Sequence, residues 1–504
     1  MKKKKFELIT WLLFIISAIA LYFVATNFAV FPVKYKFPLL AILIVLICLS
    51  GIISILVKRK TKWLAIGINS ILIICVLAGL IMLPSLERRI RNIFKDTDTD
   101  EAVINVYVLN DKYKDDFGKY SNSRFIIQNT TDKDNQNYAV DEIKNILNSS
   151  ILSVRKEDIF SAVEALYNGE GDLLILNEIY VNTIEDIEKF KNFSDDTEIV
   201  YTVKREIEIE KPEVIEIPKE ITERTFTIYI AGEDTRSGRL SIYGRTDVDI
   251  LLTINPVTKQ AMITGIPRDS YIPNPALNYG NDKLTHLGND GIQNTTKGVS
   301  EYFDIDIDYY GVVNFWTFKS IVDALGGVDV DNPYYFVSTS GYGDTNTYYF
   351  EEGTIHLNGN AALAYVRERY NLSNGDYGRS EHQTIVLKAI IQKLLSPSII
   401  ESYSEILDAL QGQFLTDMDV EDIYKLIAMQ LDNNVKWDII TYHLGGTGDM
   451  QGTASMGWNW KLYVVHLFDS QVKYIREEIE KMKNDEKIIQ EALPNEGDTT
   501  YIPN

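Results

Sequence analysis

The sequence predicts an α/β protein on a membrane anchor of three transmembrane helices. A small α/β domain follows the anchor, and then an α/β/α layered domain with a mixed central sheet. Two observations predict this organisation. Long uncharged apolar runs are confined to residues 1–90, as expected for an anchor. Beyond them, runs with a strand period alternate with runs with a helical period, which is typical of layered α/β domains.

The anchor rests on apolar runs at residues 8–33, 37–57 and 63–86, none of which contains a formally charged side chain. Each run is longer than the ~20 residues that a helix needs to cross the core of a bilayer. A cleaved signal peptide is the alternative for the first run, but that run is too long and two more follow at once. We therefore expect three membrane-spanning helices.

Basic residues favour a cytoplasmic N-terminus. The lysines at 2–5 and the basic loop at 58–62 face the cytoplasm in that orientation, in agreement with the positive-inside rule. In this orientation Arg88, Arg89 and Arg91 follow the third run on the outside. They reduce the excess of positive charge on the cytoplasmic side. We expect a multi-pass protein of the cell membrane with its larger domains outside the cell.

Residues 98–215 are predicted to form the small α/β domain. The patterns indicate a strand at 102–109, helices at 138–152 and 156–167, and a buried strand at 171–176. No catalytic constellation is visible here, so a spacer or binding module is the favoured interpretation. Residues 202–224 alternate charged side chains with Ile and Val and contain two prolines, which indicates an extended connector or an edge ribbon.

Residues 225–484 are predicted to form the larger layered domain, followed by a loose polar tail at 485–504. Strands are expected at 226–232, 249–255, 260–266 and 462–467, and helices at 315–325, 360–367 and 381–395. Gly326 and Gly327 stop the first of these helices, and the last one ends before Pro397.

The composition excludes several classes of function. A net charge of −21 argues against nucleic-acid binding, because an acidic field repels phosphate backbones. Cys48 and Cys75, the two cysteines of the chain, lie in the apolar runs, so we expect no disulfide or thiolate site in the soluble part. Five histidines make zinc chemistry based on histidine improbable.

Arginine is concentrated in the larger domain. Residues 225–395 contain seven arginines and six lysines, and none of the arginines lies between Arg268 and Arg367. Lysine would keep the domain soluble equally well, so solubility does not explain a local preference for arginine. The shape of the arginine side chain is the expected reason. A guanidinium offers a planar fork of donors that binds phosphate oxygens in bidentate fashion. Ordinary salt bridges to the many carboxylates are the alternative explanation.

The arginines and several aspartates follow predicted strand ends. Asp234 and Arg236 come after the first strand of the domain, Arg245 and Asp247 precede the second, and Arg268 closes the third. Loops at strand ends are where α/β folds collect ligand-binding groups. Asp234 and Asp247 offer oxygen ligands, which suit Mg²⁺ or Mn²⁺.

Two further motifs come from helices. Arg367 and Arg369 end one predicted helix, and Asp376, Arg379 and Gln383 open the next. Arg379 and Gln383 are four residues apart, so both point to the same face of that helix.

Together these residues resemble the signature of the LytR–CpsA–Psr family of cell-wall glycopolymer ligases. The similarity covers residues 225–395. It rests on Asp234-Thr-Arg, Gly244-Arg-Thr-Asp-Val-Asp, Gly265-Ile-Pro-Arg-Asp-Ser, Lys283-Leu-Thr-His, Ala364-Tyr-Val-Arg-Glu-Arg and Asp376-Tyr-Gly-Arg-Ser-Glu-His-Gln. Three membrane spans and the small domain further resemble the capsule-associated branch of this family.

The resemblance implies transfer of a glycopolymer, capsular polysaccharide by architecture, from a polyprenyl-pyrophosphate carrier to peptidoglycan through a phosphodiester bond. It implies a Gram-positive type envelope and contact with the membrane and with membrane proteins of capsule synthesis. The implied pyrophosphate clamp consists of Arg268, Arg367, Arg369, Arg379 and Gln383. Asp234 and Asp247 are implied to act through Mg²⁺ or Mn²⁺, and Arg245 and Asp376 as orienting or proton-accepting groups. The lipid tail needs an apolar cavity, for which residues 309–318 and 385–395 are candidates.

Two alternatives remain open. One is a membrane-bound regulator or sensor of capsule synthesis, although the chain has no cytoplasmic segment long enough for an output domain. The other is a hydrolase in which water replaces the sugar acceptor. A serine hydrolase is excluded more simply, because the sequence contains no Gly-x-Ser-x-Gly motif. For His382 a packing role is favoured over a catalytic one.

Overall fold

The structure is a computed structural model, and it describes residues 5–28, 30–56, 62–93, 99–110, 117–209, 219–233, 240–339, 346–372, 376–396, 399–433 and 436–494. These residues form three long N-terminal helices, a five-stranded sheet with its own helices, and a six-stranded sheet between helices. The α/β class, the three-helix anchor and the mixed central sheet are confirmed.

The anchor consists of α1 (Lys5–Asn27), α2 (Val33–Leu56) and α3 (Lys62–Ile93). All three are long and apolar enough to cross a membrane. Polar contacts join them: the indole N–H of Trp11 donates to the carbonyl of Ile47 at 2.9 Å, and Asn69 donates to the hydroxyl of Ser54 at 3.1 Å. In a bilayer, apolar contact alone discriminates poorly between helix arrangements, so such hydrogen bonds help to fix the bundle.

The small domain is a five-stranded sheet of order β3-β2-β4-β1-β5, in which β5 is an edge strand antiparallel to β1. Its elements are β1 (Thr99–Leu109), β2 (Arg124–Gln128), α4 (Lys133–Leu147), β3 (Leu152–Lys156), α5 (Ile159–Tyr167), β4 (Leu173–Asn177), α6 (Val181–Glu185), α7 (Phe193–Asp196) and β5 (Thr197–Glu208). The edge position explains the alternation of charged and apolar residues in β5, since one face of an edge strand meets water. The first helix begins at Lys133 rather than at 138, and Leu152 opens a strand instead of ending that helix.

The strands and helices of the larger domain fall into two groups along the chain, one before and one after residue 358. The first comprises β6 (Phe226–Glu233), β7 (Thr246–Asn255), β8 (Gln260–Ile266), β9 (Tyr271–Asn274), β10 (Gly280–Lys283), α8 (Leu284–Leu287), α9 (Ile292–Phe303), β11 (Tyr309–Asn314), α10 (Phe315–Ala324), β12 (Val328–Asn332), β13 (Phe336–Thr339), β14 (Thr347–Phe350) and β15 (Gly353–Leu357). The second comprises α11 (Gly359–Arg367), α12 (Asp376–Leu394), α13 (Ile399–Leu410), β16 (Phe414–Thr416), α14 (Val420–Asn433), β17 (Asp438–His443), β18 (Gly446–Thr453), β19 (Gly457–Leu467) and α15 (Asp469–Lys483).

The central sheet has the order β16-β11-β6-β7-β8-β17. β6, β7 and β8 form an antiparallel meander, and β11 and β17 pair in parallel with β6 and β8. On one face, Leu251 and Met262 pack with Val299 of α9 and Ile475 of α15. The opposite face is covered by α12 and α14. The sheet is therefore the middle layer of three, as predicted.

The C-terminal residues differ from the expectation of a loose tail. Ile488 is buried in the core that contains Leu251, and the side chain of Gln490 exchanges hydrogen bonds with the backbone of Thr441 on β17 at 2.8 and 2.9 Å. Residues 485–494 thus pack along the sheet, and 495–504 lie outside the described residues. Isolated apolar positions between polar ones gave no periodic signal that would have predicted this.

The anchor contacts the larger domain through α13 and α14. Leu407 and Tyr424 are buried together with Phe28, Ile90 and Ile93 of the anchor. The hydroxyl of Tyr424 donates to the carbonyl of Glu87 at 3.2 Å, and Arg91 pairs with Glu421 at 3.3 Å. We call this contact the anchor seat.

Candidate functional site

Several strand ends meet at one edge of the central sheet. Glu233, the last residue of β6, pairs with Thr246 at the start of β7 and with Asn314 at the end of β11. Gly265 of β8 pairs with His443, the last residue of β17. The loops that carry much of the predicted site begin or end at these residues, so the topology brings them to one side of the domain.

An aspartate and two arginines form the centre of this edge. Nη1 of Arg268 lies 2.6 Å from Oδ1 of Asp247, and Nη2 of Arg245 lies 3.9 Å from the same oxygen. Nη1 of Arg245 lies 2.8 Å from Oδ2 of Asp186, which belongs to the small domain. The side chains of Arg245 and Arg268 are 8% and 10% exposed, so these charges interact in a medium that screens them weakly.

Arg379 belongs to the same electrostatic cluster. Burial raises the pKa of Asp247, but the guanidiniums of Arg268, Arg245 and Arg379 outweigh it and hold the pKa well below its ordinary value. Three guanidiniums around one carboxylate leave an excess of positive charge. This arrangement suits an anion with several oxygens, which guanidinium forks bind well.

A second carboxylate extends the cluster. Burial raises the pKa of Asp269, but Lys283, Arg268 and Arg379 together hold it below its ordinary value. Nζ of Lys283 lies 2.5 Å from Oδ1 of Asp269. The charge of Arg379 lowers the pKa of both Asp247 and Asp269. The guanidinium of this α12 residue therefore lies near the strand edge.

Arg367 reaches the edge from α11. Its guanidinium carbon lies 4.4 Å from the centre of the Phe315 ring, within the range of a cation–π contact. Phe315 directly follows the end of β11, so Arg367 lies at the same end of the sheet. Arg369, beyond the end of α11, is half-buried and lies 5.1 Å from the ring centre of Tyr370.

Gln383 lies one turn after Arg379 on α12, as the spacing predicts. Its neighbour Thr384 is pressed against β8: a methyl group added to Gly265 would lie 2.7 Å from Oγ1 of Thr384 and 2.8 Å from Nδ1 of His443. The glycine therefore permits a close approach of the middle of α12, five residues after Arg379, to the end of β8. This contact positions Arg379 and Gln383 over the edge.

Two predicted site residues have side chains outside the described part of the structure. Asp234, like Arg236 and Arg239, falls in residues 234–239, outside the described residues. Asp376 opens α12, but its side chain is outside the described part of the structure. Their roles remain predictions.

Of the two aspartates predicted to bind a metal, Asp247 lies among the described residues and Asp234 does not. No group of three His, Cys, Asp or Glu side chains able to hold a metal ion occurs among the described residues. Asp247 fits one ligand position, since its pKa keeps it ionised and its contacts with Arg268 and Arg245 both fall on Oδ1. A hard divalent cation prefers such carboxylate oxygens.

Asp249 is a buried member of the site that was not singled out by the sequence. It accepts a hydrogen bond from the hydroxyl of Tyr229 and is 2% exposed. Burial, with a smaller contribution from the charge of Asp247, raises its pKa to about 7. Its place in the quoted motif, two residues after Asp247, was the only available signal.

The two histidines of the matched motifs are buried in packing roles. The ring of His382 stacks on Tyr365 at 4.3 Å and on Phe336 at 4.6 Å, and burial lowers its pKa to about 4. Nδ1 of His286 lies 2.8 Å from Oδ1 of Asp282, with both side chains almost fully buried. The packing interpretation of His382 agrees with these contacts.

Apolar side chains between the sheet and α12 are only half-buried. They are Ile228, Ile230, Val248 and Ile254 on the central strands and Leu387, Ile391 and Leu395 on α12. Side chains on central strands beneath a helix are normally enclosed, because protein interiors are close-packed. Ile250 and Ile263 of the same cluster are buried, so the half-buried side chains form an apolar surface along α12. This surface approaches the arginine cluster at Val248 and reaches the opposite end of the sheet at Ile254.

The chain is similar to known proteins across this domain. The model of the LytR_cpsA_psr family matches residues 189–463. The chain is 36% identical over 234 residues to the polyisoprenyl-teichoic acid–peptidoglycan teichoic acid transferase TagU of Enterococcus faecalis, covering 46% of this chain and 73% of that protein. It is 37% identical over 204 residues to the TagU of Halalkalibacterium halodurans, covering 40% of this chain and 64% of that protein. The crystal structure of B. subtilis TagV is similar at a TM-score of 0.42 and 26% identity, covering 53% of this chain and 99% of that one.

The family match covers more than half of the chain, and it includes every motif on which the resemblance was based. The chain belongs to the LytR–CpsA–Psr family and is a transferase.

Proposed function

We propose that the chain transfers a phosphate-linked glycopolymer from a polyprenyl-pyrophosphate carrier to peptidoglycan. The observation that carries the proposal is the convergence of Arg268, Arg245 and Arg379 on Asp247 at one edge of the sheet. These residues are far apart in the chain, and together they form a positively charged cluster in a protein of net charge −21. The names of the relatives, which describe transfer of teichoic acid to peptidoglycan, support the same reaction class.

In the proposed reaction, a sugar hydroxyl of peptidoglycan attacks the sugar-side phosphorus of the carrier. The new P–O bond forms a phosphodiester, the pyrophosphate bridge breaks, and polyprenyl phosphate leaves with the bond electrons. The hydroxyl proton passes to a nearby acceptor, for which Asp376 is our candidate. Transfer through a loose transition state requires positioning and charge neutralisation more than a covalent nucleophile.

The arginines have distinct places in this scheme. Arg268 and Arg379 hold the pyrophosphate from β8 and α12, Arg367 and Arg369 from the end of α11, and Gln383 adds a hydrogen bond. The stacking of Arg367 on Phe315 fixes the direction of its donors, which reduces the entropy lost when the substrate binds.

Mg²⁺ or Mn²⁺ is part of the proposal, with Asp234 and Asp247 as its protein ligands. When bound, the cation neutralises charge on the pyrophosphate oxygens. The ionised state of Asp247 supports this assignment. Thermal unfolding tests it without an activity assay: EDTA should lower the Tm of the wild type, added Mg²⁺ should restore it, and Asp247→Asn should not respond.

The half-buried apolar surface along α12 is the proposed site of the polyprenyl chain. Each CH₂ group moved from water onto such a surface gains at most ~0.8 kcal/mol. Ile391→Glu places a charge on this surface without altering the arginine cluster. It should weaken binding of a long-chain carrier more than binding of a short-chain analogue.

Capsular polysaccharide is the polymer that we propose, because three spans and the intervening small domain resemble the capsule-associated branch. Wall teichoic acid is the second candidate, because the relatives' names state transfer of teichoic acid. The site is proposed to lie outside the cell, where peptidoglycan is found, with membrane proteins of capsule synthesis as further contacts. Assays of the purified enzyme with each carrier-linked polymer distinguish the two substrates by kcat/KM.

The central test uses the full chain in lipid nanodiscs, with carrier-linked polymer as donor and peptidoglycan as acceptor. Arg268→Ala and Arg367→Ala should each reduce transfer by up to ~10³-fold, the order seen for an arginine that contacts a transferring phosphoryl group. Arg476→Ala is the matched control, since Arg476 forms an exposed ion pair with Asp304 at 3.0 Å on α15. It should retain full activity.

The same assay separates the two alternatives. Release of free glycan without acceptor-linked product would identify a hydrolase. Binding of the carrier without turnover, even in the wild type, would identify a sensor. Either result contradicts the proposed transfer.

A further inference from the structure

The small domain is packed firmly against the larger one. The ring of Trp460 on β19 lies 5.1 Å from that of Phe160 and 5.9 Å from that of Phe190. Met456 and Leu462 are buried in the same cluster. At a second point, the carboxylate of Asp100 accepts hydrogen bonds from the hydroxyl of Ser241 and the N–H of Ile242. Contacts at two places fix the orientation of the small domain.

A third contact reaches the arginine cluster. Oδ2 of Asp186 lies 2.8 Å from Nη1 of Arg245, and Nη2 of the same guanidinium lies 3.9 Å from Oδ1 of Asp247. The side chain of Arg245 is 8% exposed and that of Asp186 is 50% exposed. Arg245 thus lies between two carboxylates that come from different domains.

The backbone holds Asp186 in place for this contact. Asp186 directly follows the last residue of α6, and its N–H donates to the carbonyl of Asn182 at 3.1 Å. α6 is itself anchored by Thr183 and Ile184, which are almost fully buried. The carboxylate is therefore presented from a fixed support rather than from a long mobile side chain.

The geometry has a physical consequence for Arg245. A guanidinium is planar, so one nitrogen held by Asp186 sets the direction of the other. Without that restraint, both nitrogens of Arg245 can turn towards Asp247, the other carboxylate with which it pairs. The guanidinium would then compete with Arg268 for Oδ1 of Asp247 and shift the centre of positive charge.

We propose that Asp186 is a positioning residue of the active site, and that the small domain completes the site by orienting Arg245. The proposal rests on the proposed transfer function and assigns the small domain a role beyond that of a spacer. Asp186 does not contact the reacting atoms in this scheme; it acts through Arg245.

The first test measures the reactivity of Arg245 itself, so it does not depend on any transferase activity. In nanodiscs, phenylglyoxal should modify Arg245 slowly in the wild type and several-fold faster in Asp186→Asn, as quantified by peptide mass spectrometry. Asp186→Glu should restore the slow rate. Glu188→Gln is the matched control, because Glu188 lies on the same segment, is 86% exposed and pairs with Lys191; it should behave as wild type. An unchanged rate in Asp186→Asn overturns the proposal.

The second test uses the transfer assay. Asp186→Asn should lower kcat by ~10-fold to ~100-fold, the scale expected for a small misplacement of a reacting group, with little change in KM for the carrier. Asp186→Glu should recover most of the loss. In an Arg245→Ala background, Asp186→Asn should cost nothing more. An equal loss in both backgrounds, or a loss explained by a lower Tm, contradicts positioning through Arg245. A wild type without transfer would instead refute the proposed function and leave the modification test standing.

Discussion

Neighbouring carboxylates in β7 have opposite protonation properties because their surroundings differ. Asp247 is surrounded by guanidiniums, which hold its pKa below the ordinary value despite burial. Asp249 is buried beside the hydroxyl of Tyr229, and its pKa is raised to about 7. Burial penalises the charged form unless an opposite charge compensates it. Asp247 is thus fixed as an anion, whereas Asp249 titrates near neutral pH.

Asp249 should make stability depend on pH. Its folded pKa of about 7 lies above the unfolded value of about 3.9. Its stabilising contribution is therefore fully present below about pH 4 and is lost as the pH rises through 7. A shift of this size corresponds to at most ~4 kcal/mol.

We expect the Tm of the wild type to fall more between pH 5 and pH 8 than that of Asp249→Asn, which has no group to titrate there. Scanning fluorimetry in detergent measures both. Asp306→Asn, which changes a carboxylate that is 90% exposed, should follow the wild type. Parallel curves for the wild type and Asp249→Asn would refute the assignment.

At the scale of single residues, the sequence predicted those members of the arginine cluster that lie beside the end of a strand or helix. Arg268, Asp247 and Arg379 could be predicted because each lies close to the end of a strand or helix, and hydrophobic periodicity locates such ends. Asp186 could not be found in this way. Its contact with Arg245 joins two domains, and nothing in the local sequence around Asp186 indicates a partner so far along the chain.

Among the elements, α12 depends on a single glycine of β8. A Cβ atom at position 265 would lie 2.7 Å from Oγ1 of Thr384 and 2.8 Å from Nδ1 of His443. Thr384 is buried and His443 is half-buried, so Thr384 in particular cannot move away freely. The position of Arg379 and Gln383 over the strand edge follows from this close approach.

Gly265→Ala should therefore displace α12 at Thr384 and destabilise the fold by ~1–3 kcal/mol, the usual cost of overpacking. Transfer activity should fall further than stability alone explains, because Arg379 moves with the helix. Circular dichroism melting and the transfer assay measure the two effects.

Two variants serve as controls for this change. Adding Thr384→Ala removes one of the two close contacts and should recover part of the lost stability. Gly118→Ala, where a Cβ would meet no atom within 4 Å, should leave both stability and activity unchanged. If Gly265→Ala were as stable and active as the wild type, the dependence of α12 on this contact would be wrong.

The strongly periodic elements were predicted well. β8 has the predicted bounds 260–266, and α10 ends at the predicted glycine pair, where φ is +70° and +83°. Several other strands were missed. β9, β10 and β18 are rich in polar residues and are held in local hairpins, β9 with β10 and β18 with β19, so hydrophobic alternation does not reveal them. β11 and β17 of the central sheet are six-residue segments, and in runs this short periodicity does not separate a strand from a helix.

In the whole molecule, the anchor and the larger domain are held together by the anchor seat. Val420, Tyr424, Ile427 and Leu431 of α14 contact the anchor, whereas Ile423, Leu426 and Met429 face the sheet. The first set recurs every three or four residues and so forms one stripe of the helix. α14 therefore packs on both sides.

Truncating Tyr424 should loosen this contact. The side chain is 1% exposed and donates its hydroxyl proton to the carbonyl of Glu87. In nanodiscs, Tyr424→Ala should increase hydrogen exchange in α13, in α14 and at the end of α3, because a large buried ring is lost. Tyr424→Phe keeps the ring and should change exchange little. Unchanged exchange in Tyr424→Ala would show that the seat does not restrain these helices.

The three spans were predictable from length and charge alone, but the anchor seat was not. Its ion pairs, such as Arg91 with Glu421 at 3.3 Å, are exposed and contribute at most ~1 kcal/mol each. The apolar stripe of α14 that faces the anchor is indistinguishable in sequence from a stripe that faces a core. Only the three-dimensional arrangement shows which surface covers it.

The double-sided packing of α14 also sets a distance. α14 lies against Phe226 and Tyr309, at the starts of β6 and β11, whereas the arginine cluster lies at the opposite end of these strands. At ~3.3 Å per residue, β6 extends over ~25 Å between the two ends. Under the proposed function, a carrier whose phosphate is held by the arginines while its tail remains in the bilayer has to extend over that length. A carrier with a tail shorter than this span could not occupy the bilayer and the arginine cluster at the same time.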